Sequence, residues 1–84
     1  MSAARMSAST VELAAADFRV VSEWRDDPDL AGYNALVTVT VSTGACYVQT
    51  YLTPEECDTL ASMLVAKAAE QRQFIAAHAL KAAA

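Results

Sequence analysis

The sequence predicts an α+β fold in which a three-stranded antiparallel β-meander is covered on one face by a long C-terminal helix (βββα). Two features support this prediction. Residues 35–42 alternate apolar and polar side chains and are rich in β-branched residues, which favours a strand over a helix. Thr53-Pro54-Glu55-Glu56 combines an N-cap residue, a proline at the first helical position and a capping box, so a helix is expected to begin there.

Three segments have the alternation that is typical of strands. These are residues 17–24, 35–42 and 45–52, and the last two are joined by Thr43-Gly44, which predicts a tight hairpin with Gly44 at positive φ. One side of each strand and one side of the helix are expected to form the core. The predicted core residues are Phe18, Val20, Trp24, Val37, Val39, Val41, Val48, Leu52, Leu60 and Leu64.

The N-terminal region is predicted in two parts. Residues 1–9 are expected to form a flexible tail, which leaves residues 10–84 as a single domain. Ser9-Thr10-Val11-Glu12 resembles a capping box, so residues 10–16 predict a short helical turn. An extension of the first strand is the alternative.

The C-terminal helix is expected to cover the valines of the sheet. Cys57, Leu60, Ala61, Leu64 and Ala68 recur at helical spacing and would form the covering face. A helix that runs from Pro54 to the last residue would be about 46 Å long, whereas an eight-residue strand spans about 27 Å. The distal part therefore either overhangs, breaks near residues 71–73 and folds back, or frays.

Composition limits the expected function. The net charge is −4 with 6 Lys and Arg residues, which disfavours direct nucleic-acid binding because such proteins normally present a basic stripe to the phosphates. No apolar segment approaches the roughly 20 residues that cross a membrane, and the N-terminus lacks the apolar region of a signal peptide. We therefore expect a cytoplasmic protein that binds neither nucleic acid nor membranes directly.

Motifs for catalysis or cofactor binding are missing from the sequence. The sole histidine, His78, has only alanine and leucine neighbours and is expected at the surface of the helix. The two glycines do not form a phosphate-binding loop. Cys46 and Cys57 fit neither a zinc signature nor a disulfide framework and are expected to be free, buried thiols. We predict a protein that is not an enzyme and needs no cofactor or metal.

Six acidic residues are expected to gather at one end of the sheet. In a meander, the loop after the first strand and the start of the helix lie at the same end. The residues are Asp26, Asp27, Asp29, Glu55, Glu56 and Asp58. Turn formation explains the three aspartates of the loop, and helix capping explains the three acidic residues at the helix start. The alternative is an electronegative patch, here called the acidic pole, that docks on a basic surface of a partner protein.

Two surfaces have no cover in the predicted fold, namely the outer sheet face and the distal helix. The outer face is either solvated or an interface, in which rigid tyrosines are favoured. A homodimer in which the distal helix packs against the same segment or against the tyrosines would cover both surfaces and enlarge a thin core. The residues predicted for this self-association or partner face are Tyr47, Tyr51, Phe74, Ile75 and Leu80.

Residues 51–56, Tyr-Leu-Thr-Pro-Glu-Glu, are followed by Leu60-Ala61 and Leu64. This pattern resembles the strand, LTPEE and alanine-rich helix that end small orphan proteins common in phages and prophages of high-GC bacteria, and it covers roughly residues 35–70. Some small acidic phage proteins of this size are anti-CRISPR or other anti-defence inhibitors. The resemblance therefore implies an inhibitor that binds a nucleic-acid-handling protein in the host cytoplasm, and it implies no particular residues. A structural or regulatory homodimer without inhibitory activity is the alternative.

Overall fold

The computed structural model describes residues 5–83, which form a four-stranded antiparallel sheet, a 3-10 helix and a long α-helix. The strands pair in chain order. They are β1 (Arg5–Glu12), β2 (Asp17–Trp24), β3 (Val37–Ser42) and β4 (Tyr47–Leu52). The 3-10 helix, Pro28–Ala35, lies between β2 and β3, and α1, Pro54–Ala83, follows β4. The predicted α+β class with an antiparallel sheet and a long C-terminal helix is confirmed, but the predicted number of strands is wrong.

The additional strand is β1, which pairs with β2 from Arg5 opposite Trp24 to Glu12 opposite Asp17. Residues 5–9 of the predicted tail therefore lie in the sheet, while residues 1–4 fall outside the described part of the chain. The helical turn predicted over residues 10–16 is wrong, because the strand continues to Glu12. A hydrogen bond from Leu13 N to Ala16 O (3.1 Å) then closes the turn into β2.

The strand register divides the sheet into two faces. Cross-strand rows such as Phe18–Val41–Val48 and Val20–Val39–Thr50 place the β3 valines on one face. We call this the valine face and define it by Phe18, Val20, Trp24, Val37, Val39, Val41, Val48 and Leu52. The other face, here the outer face, contains the row Ala8–Val21–Thr38–Tyr51.

The 3-10 helix packs on the outer face. Asp27 caps this helix by accepting a hydrogen bond from Asp29 N (2.9 Å), and Pro28 occupies its start. The ring of Tyr33 meets the ring of Tyr51 edge to face, with centroids 6.3 Å apart. Val21, in the same cross-strand row as Tyr51, is 7% exposed and is the only buried hydrophobic residue among residues 5–82. The small core therefore lies on the face that was predicted to be uncovered.

The helix α1 is continuous over its 30 residues, which correspond to about 45 Å, and it does not break near residues 71–73. Its predicted packing on the valine face is wrong. From Asp58 to Ala82, all α1 residues are exposed except Ala68, which is half-buried. The main contact of α1 with the sheet is with β4, the strand that directly precedes it.

The connection between β4 and α1 explains why the helix leaves the sheet. Thr53 alone separates Leu52 from Pro54. Its N–H donates to Glu56 Oε1 (2.8 Å) and its Oγ1 accepts from Glu56 N (3.1 Å), so the predicted capping box forms. Connections between strands and helices usually have about 2–6 residues, and a single capped residue is too short to reverse the chain over its own sheet. The radius of gyration is consequently 18.3 Å, whereas a compact chain of this length would have about 12 Å.

Candidate functional site

The valine face is an apolar surface that residues 5–83 leave uncovered. Val48 is 65% exposed, Trp24 is 53% exposed and Val20 is 40% exposed, and the β3 valines are half-buried between their neighbours. Arg5 is the one charged residue on this side of the four strands. The charged strand residues of the outer face are Glu12, Asp17, Arg19 and Glu23. Such an asymmetry is typical of a sheet whose apolar face is buried.

Trp24 lies at one end of the valine face, and its polar atom has a local partner. Its indole Nε1 donates a hydrogen bond to Asp26 Oδ1 (2.9 Å) in the following loop. Because this local partner satisfies the polar atom of the indole, the ring is free to make apolar contacts. Amphipathic aromatic residues of this kind are enriched at protein interfaces.

The helix α1 presents a second uncovered apolar surface. Since successive helical residues are about 100° apart, a set of apolar side chains from the first turn of α1 to Ile75 lies within about 60° of one direction, a sector that Gln71 and Arg72 share. We call this set the helix stripe, and it consists of Cys57, Leu60, Ala61, Leu64, Ala68 and Ile75. Leu64 is 63% exposed. Within residues 5–83 no helix has both the length and the hydropathy that crossing a membrane requires.

The residues predicted for self-association are exposed but do not form one surface. Tyr47 and Tyr51 lie on the outer face at the two ends of β4. Ile75 belongs to the helix stripe, whereas Phe74 points about 100° away from the centre of the stripe and Leu80 about 140° away. The helix therefore separates the three distal residues that the sequence suggested would act together.

The residues of the predicted acidic pole lie at the same end of the sheet, since the register sets the end of β2, the start of β3 and the end of β4 side by side. Three of them have local structural roles. Asp26 accepts the bond from Trp24, Asp27 caps the 3-10 helix, and Glu56 completes the capping box.

The other three acidic residues have exposed carboxylates without a hydrogen-bond partner among the described residues. These residues are Asp29, Glu55 and Asp58. In the described part of the chain, no three His, Cys, Asp or Glu side chains are grouped closely enough to hold a metal ion. The acidic pole is thus a group of exposed carboxylates at one end of the sheet.

The sequence also predicts the surroundings of His78 and of the two cysteines. His78 is exposed on α1, as expected. Both cysteines are free, but Cys46 is exposed and Cys57 is half-buried, so the prediction of two buried thiols is wrong for Cys46. The reason is that Cys46 lies in the turn before β4, closed by a bond from Thr43 N to Cys46 O (2.9 Å).

A groove on the outer face was not foreseen from the sequence. It has a volume of about 350 Å³ and lies between the 3-10 helix and β4. Its lining includes Arg25, Tyr33, Asn34, Gln49 and Tyr51. Asp27-Pro28 is the sequence feature that could have indicated the 3-10 helix beside this groove. An N-cap residue followed by proline predicts a helical start within a segment that otherwise looks like a turn.

Comparisons of this chain with known proteins found no relative. No protein-family model, no curated protein and no solved structure matches the chain. We therefore base the functional proposal on the two uncovered apolar surfaces and on the charge distribution.

Proposed function

We propose that this chain is a small, non-enzymatic protein-binding module that works by burying its valine face against protein. The supporting observation is the contrast between the two faces of the sheet. The valine face has one charged residue and exposed Val20, Trp24 and Val48. Monomeric proteins rarely leave contiguous apolar patches larger than a few hundred Å² in water, and larger patches mark interaction sites.

The total accessible surface supports the same proposal. It is 6966 Å², whereas a compact monomer of 8.9 kDa would expose roughly 4,800 Å². The excess of about 2,000 Å² is larger than the roughly 800 Å² that each partner buries in a standard protein–protein interface. An interface of standard size would therefore cover less than half of this excess, and a larger interface is needed to cover it.

The most concrete form of this function is a phage-type, anti-CRISPR-like inhibitor that docks on a host nucleic-acid-handling protein. The resemblance of residues 51–64 to small phage proteins favours it. The carboxylates of Asp29, Glu55 and Asp58 also favour it, because they are exposed at one end of the sheet and would complement a basic surface.

Affinity capture from a bacterial lysate tests the proposed function. Tagged wild-type protein, co-expressed with an untagged copy of this chain, should retain a stoichiometric protein, either a foreign one or that untagged copy. Val48→Glu should abolish retention because it places an unpaired charge in the interface. Tyr47→Glu is the matched control, since Tyr47 is the neighbouring residue on the opposite face and is also well exposed. Equal retention by both variants, or none by wild type, would contradict the proposal.

The inhibitory form has a separate test once a foreign partner is captured. Replacing both Asp29 and Asp58 with Lys should slow association and weaken its dependence on salt. Glu12→Lys is the control, because Glu12 lies at the other end of the sheet. If the partner binds the double variant at the wild-type rate, the acidic pole serves turns and caps only.

A further inference from the structure

We propose that a second copy of this chain covers the valine face, with the helix stripe of each protomer lying across the sheet of the other. This proposal rests on the proposed function, which requires the valine face to bind protein, and it names the partner. Both surfaces belong to the same chain, and neither has a cover within the protomer.

The two surfaces match in length. The helix stripe extends from Cys57 to Ile75, which corresponds to a rise of about 27 Å. The longest strand of the valine face, β2, has 8 residues and spans about the same distance. The helix stripe is therefore as long as the strands of the valine face, so it would cover them from end to end.

The two surfaces also match in shape. The stripe alternates large Leu60 and Leu64 with small Ala61 and Ala68. Such alternation lets side chains of facing layers interdigitate, and it allows the helix to approach a sheet surface made of short valine side chains.

The connection at Thr53 explains why the cover must come from another chain. One residue between β4 and α1, held by the capping box, directs the helix away from its own sheet. The overall extent of 68 × 29 × 18 Å reflects this projection. When a hinge is too short for an element to fold back, the same contact forms between two chains and gives a domain-swapped dimer.

The surface area agrees with a permanent dimer. Each protomer has an excess of about 2,000 Å², so two reciprocal contacts would bury about 4,000 Å² in total. Obligate homodimers bury roughly 2,000–5,000 Å² in apolar interfaces. A two-fold axis makes the two helix-on-sheet contacts identical, which is the commonest closed arrangement.

Light scattering on the purified chain at micromolar concentration is the first test. We expect twice the protomer mass of 8.9 kDa. Leu64→Glu, in the helix stripe, should lower the mass or unfold the protein. Leu80→Glu is the control, because Leu80 is 74% exposed on the same helix but faces away from the stripe, and it should leave the dimer intact. A monomeric wild type, or equal dissociation by both variants, would overturn the proposal.

Disulfide cross-linking is the second test and does not depend on whether a charge variant folds. In a background with Cys46→Ser and Cys57→Ala, chains with Leu64→Cys are unfolded and refolded together with tagged chains that have Val39→Cys. Mild oxidation should join a helix chain to a sheet chain. Bonds only between two Val39→Cys chains would indicate sheet against sheet, and bonds only between two Leu64→Cys chains would indicate helix against helix. Either result would show that the helix stripe of one chain does not lie on the valine face of the other.

The two tests separate this inference from the proposed function. A monomer whose Val48 face retains a foreign protein would end the inference and leave the proposed function standing. A monomer that retains nothing would contradict both.

Discussion

The side-chain amide of Asn34 pairs with the backbone of Arg25. Its Oδ1 accepts a hydrogen bond from Arg25 N and its Nδ2 donates one to Arg25 O, both at 2.8 Å. The amide thus makes, just beyond the end of β2, the two backbone hydrogen bonds that a residue of a neighbouring strand would make. This pair ties the two ends of the 3-10 connection together, and it holds that connection against the outer face, where Tyr33 contacts Tyr51.

Asn34→Asp should destabilise the protein by about 0.5–1.5 kcal/mol, because the carboxylate keeps the acceptor but loses the donor to Arg25 O, which is exposed and can bond to water. Urea unfolding measures the change. Asp29→Asn is the control, since this residue is in the same 3-10 helix, and its carboxylate has no hydrogen-bond partner among the described residues; the expected change is within about 0.5 kcal/mol. Equal effects of the two variants would mean that the Asn34 amide does not hold the connection.

The capping box at the start of α1 leads to a second prediction. Thr53→Ala should cost about 1 kcal/mol of unfolding free energy, because Glu56 N loses its acceptor. Glu56→Gln keeps an oxygen that can accept from Thr53 N, so it should change stability by less than about 0.5 kcal/mol. Urea unfolding followed by circular dichroism compares the two. A larger loss with Glu56→Gln would show that charge, and not the reciprocal hydrogen bonds, fixes the helix start.

Lengthening the β4–α1 connection should convert the proposed dimer into a monomer. Inserting Gly-Asn-Gly-Ser between Leu52 and Thr53 gives the chain enough residues to reverse, so α1 could cover its own valine face. We expect a monomeric mass by light scattering and a radius of gyration in small-angle scattering below the 18.3 Å of the protomer described above. The same four residues inserted between Ala14 and Ala15 are the control and should leave the dimer unchanged. Dimers of both insertion variants would contradict the hinge argument.

The thiols provide a further prediction. The exposed Cys46 should react rapidly with an aromatic disulfide reagent, and the half-buried Cys57 should react more slowly. The residues lie beyond opposite ends of β4, whose 6 residues span about 20 Å. A disulfide needs Cα atoms within about 7 Å, so no intrachain bond should form under oxidation. Two equal rates, or an oxidised monomer with no free thiol, would contradict this placement.

Sequence features that act over a few neighbouring residues predicted the local structure correctly. Residues 17–24 were predicted as a strand and coincide with β2, and the capping box at Thr53 placed the start of α1 correctly. The strands predicted at 35–42 and 45–52 begin two residues too early, because the 3-10 helix and the Thr43–Cys46 turn take those residues. Gly44 does not have the positive φ that was expected for it.

The errors arose where the outcome depends on tertiary structure. Strand β1 was missed because Ser7, Ala8 and Ser9 have weak strand propensity, and its pairing with β2 decides its conformation. The helix was expected to fold back because the valine face needs a cover, but the single residue at Thr53 prevents this within one chain. The apolar face of the sheet was predicted correctly, and the length of the connection, which sets the direction of α1, was not considered.

Contacts between differently labelled chains test the exchange of α1 most directly. In a sample mixed from ¹³C-labelled and unlabelled protein, a filtered NOE experiment detects only contacts between protomers. We predict intermolecular NOEs between the methyl groups of Leu60 or Leu64 and those of Val39 or Val48. If a dimer forms and these methyl pairs show no intermolecular NOE, α1 does not cover the valine face of the partner, and the two chains do not exchange their helices.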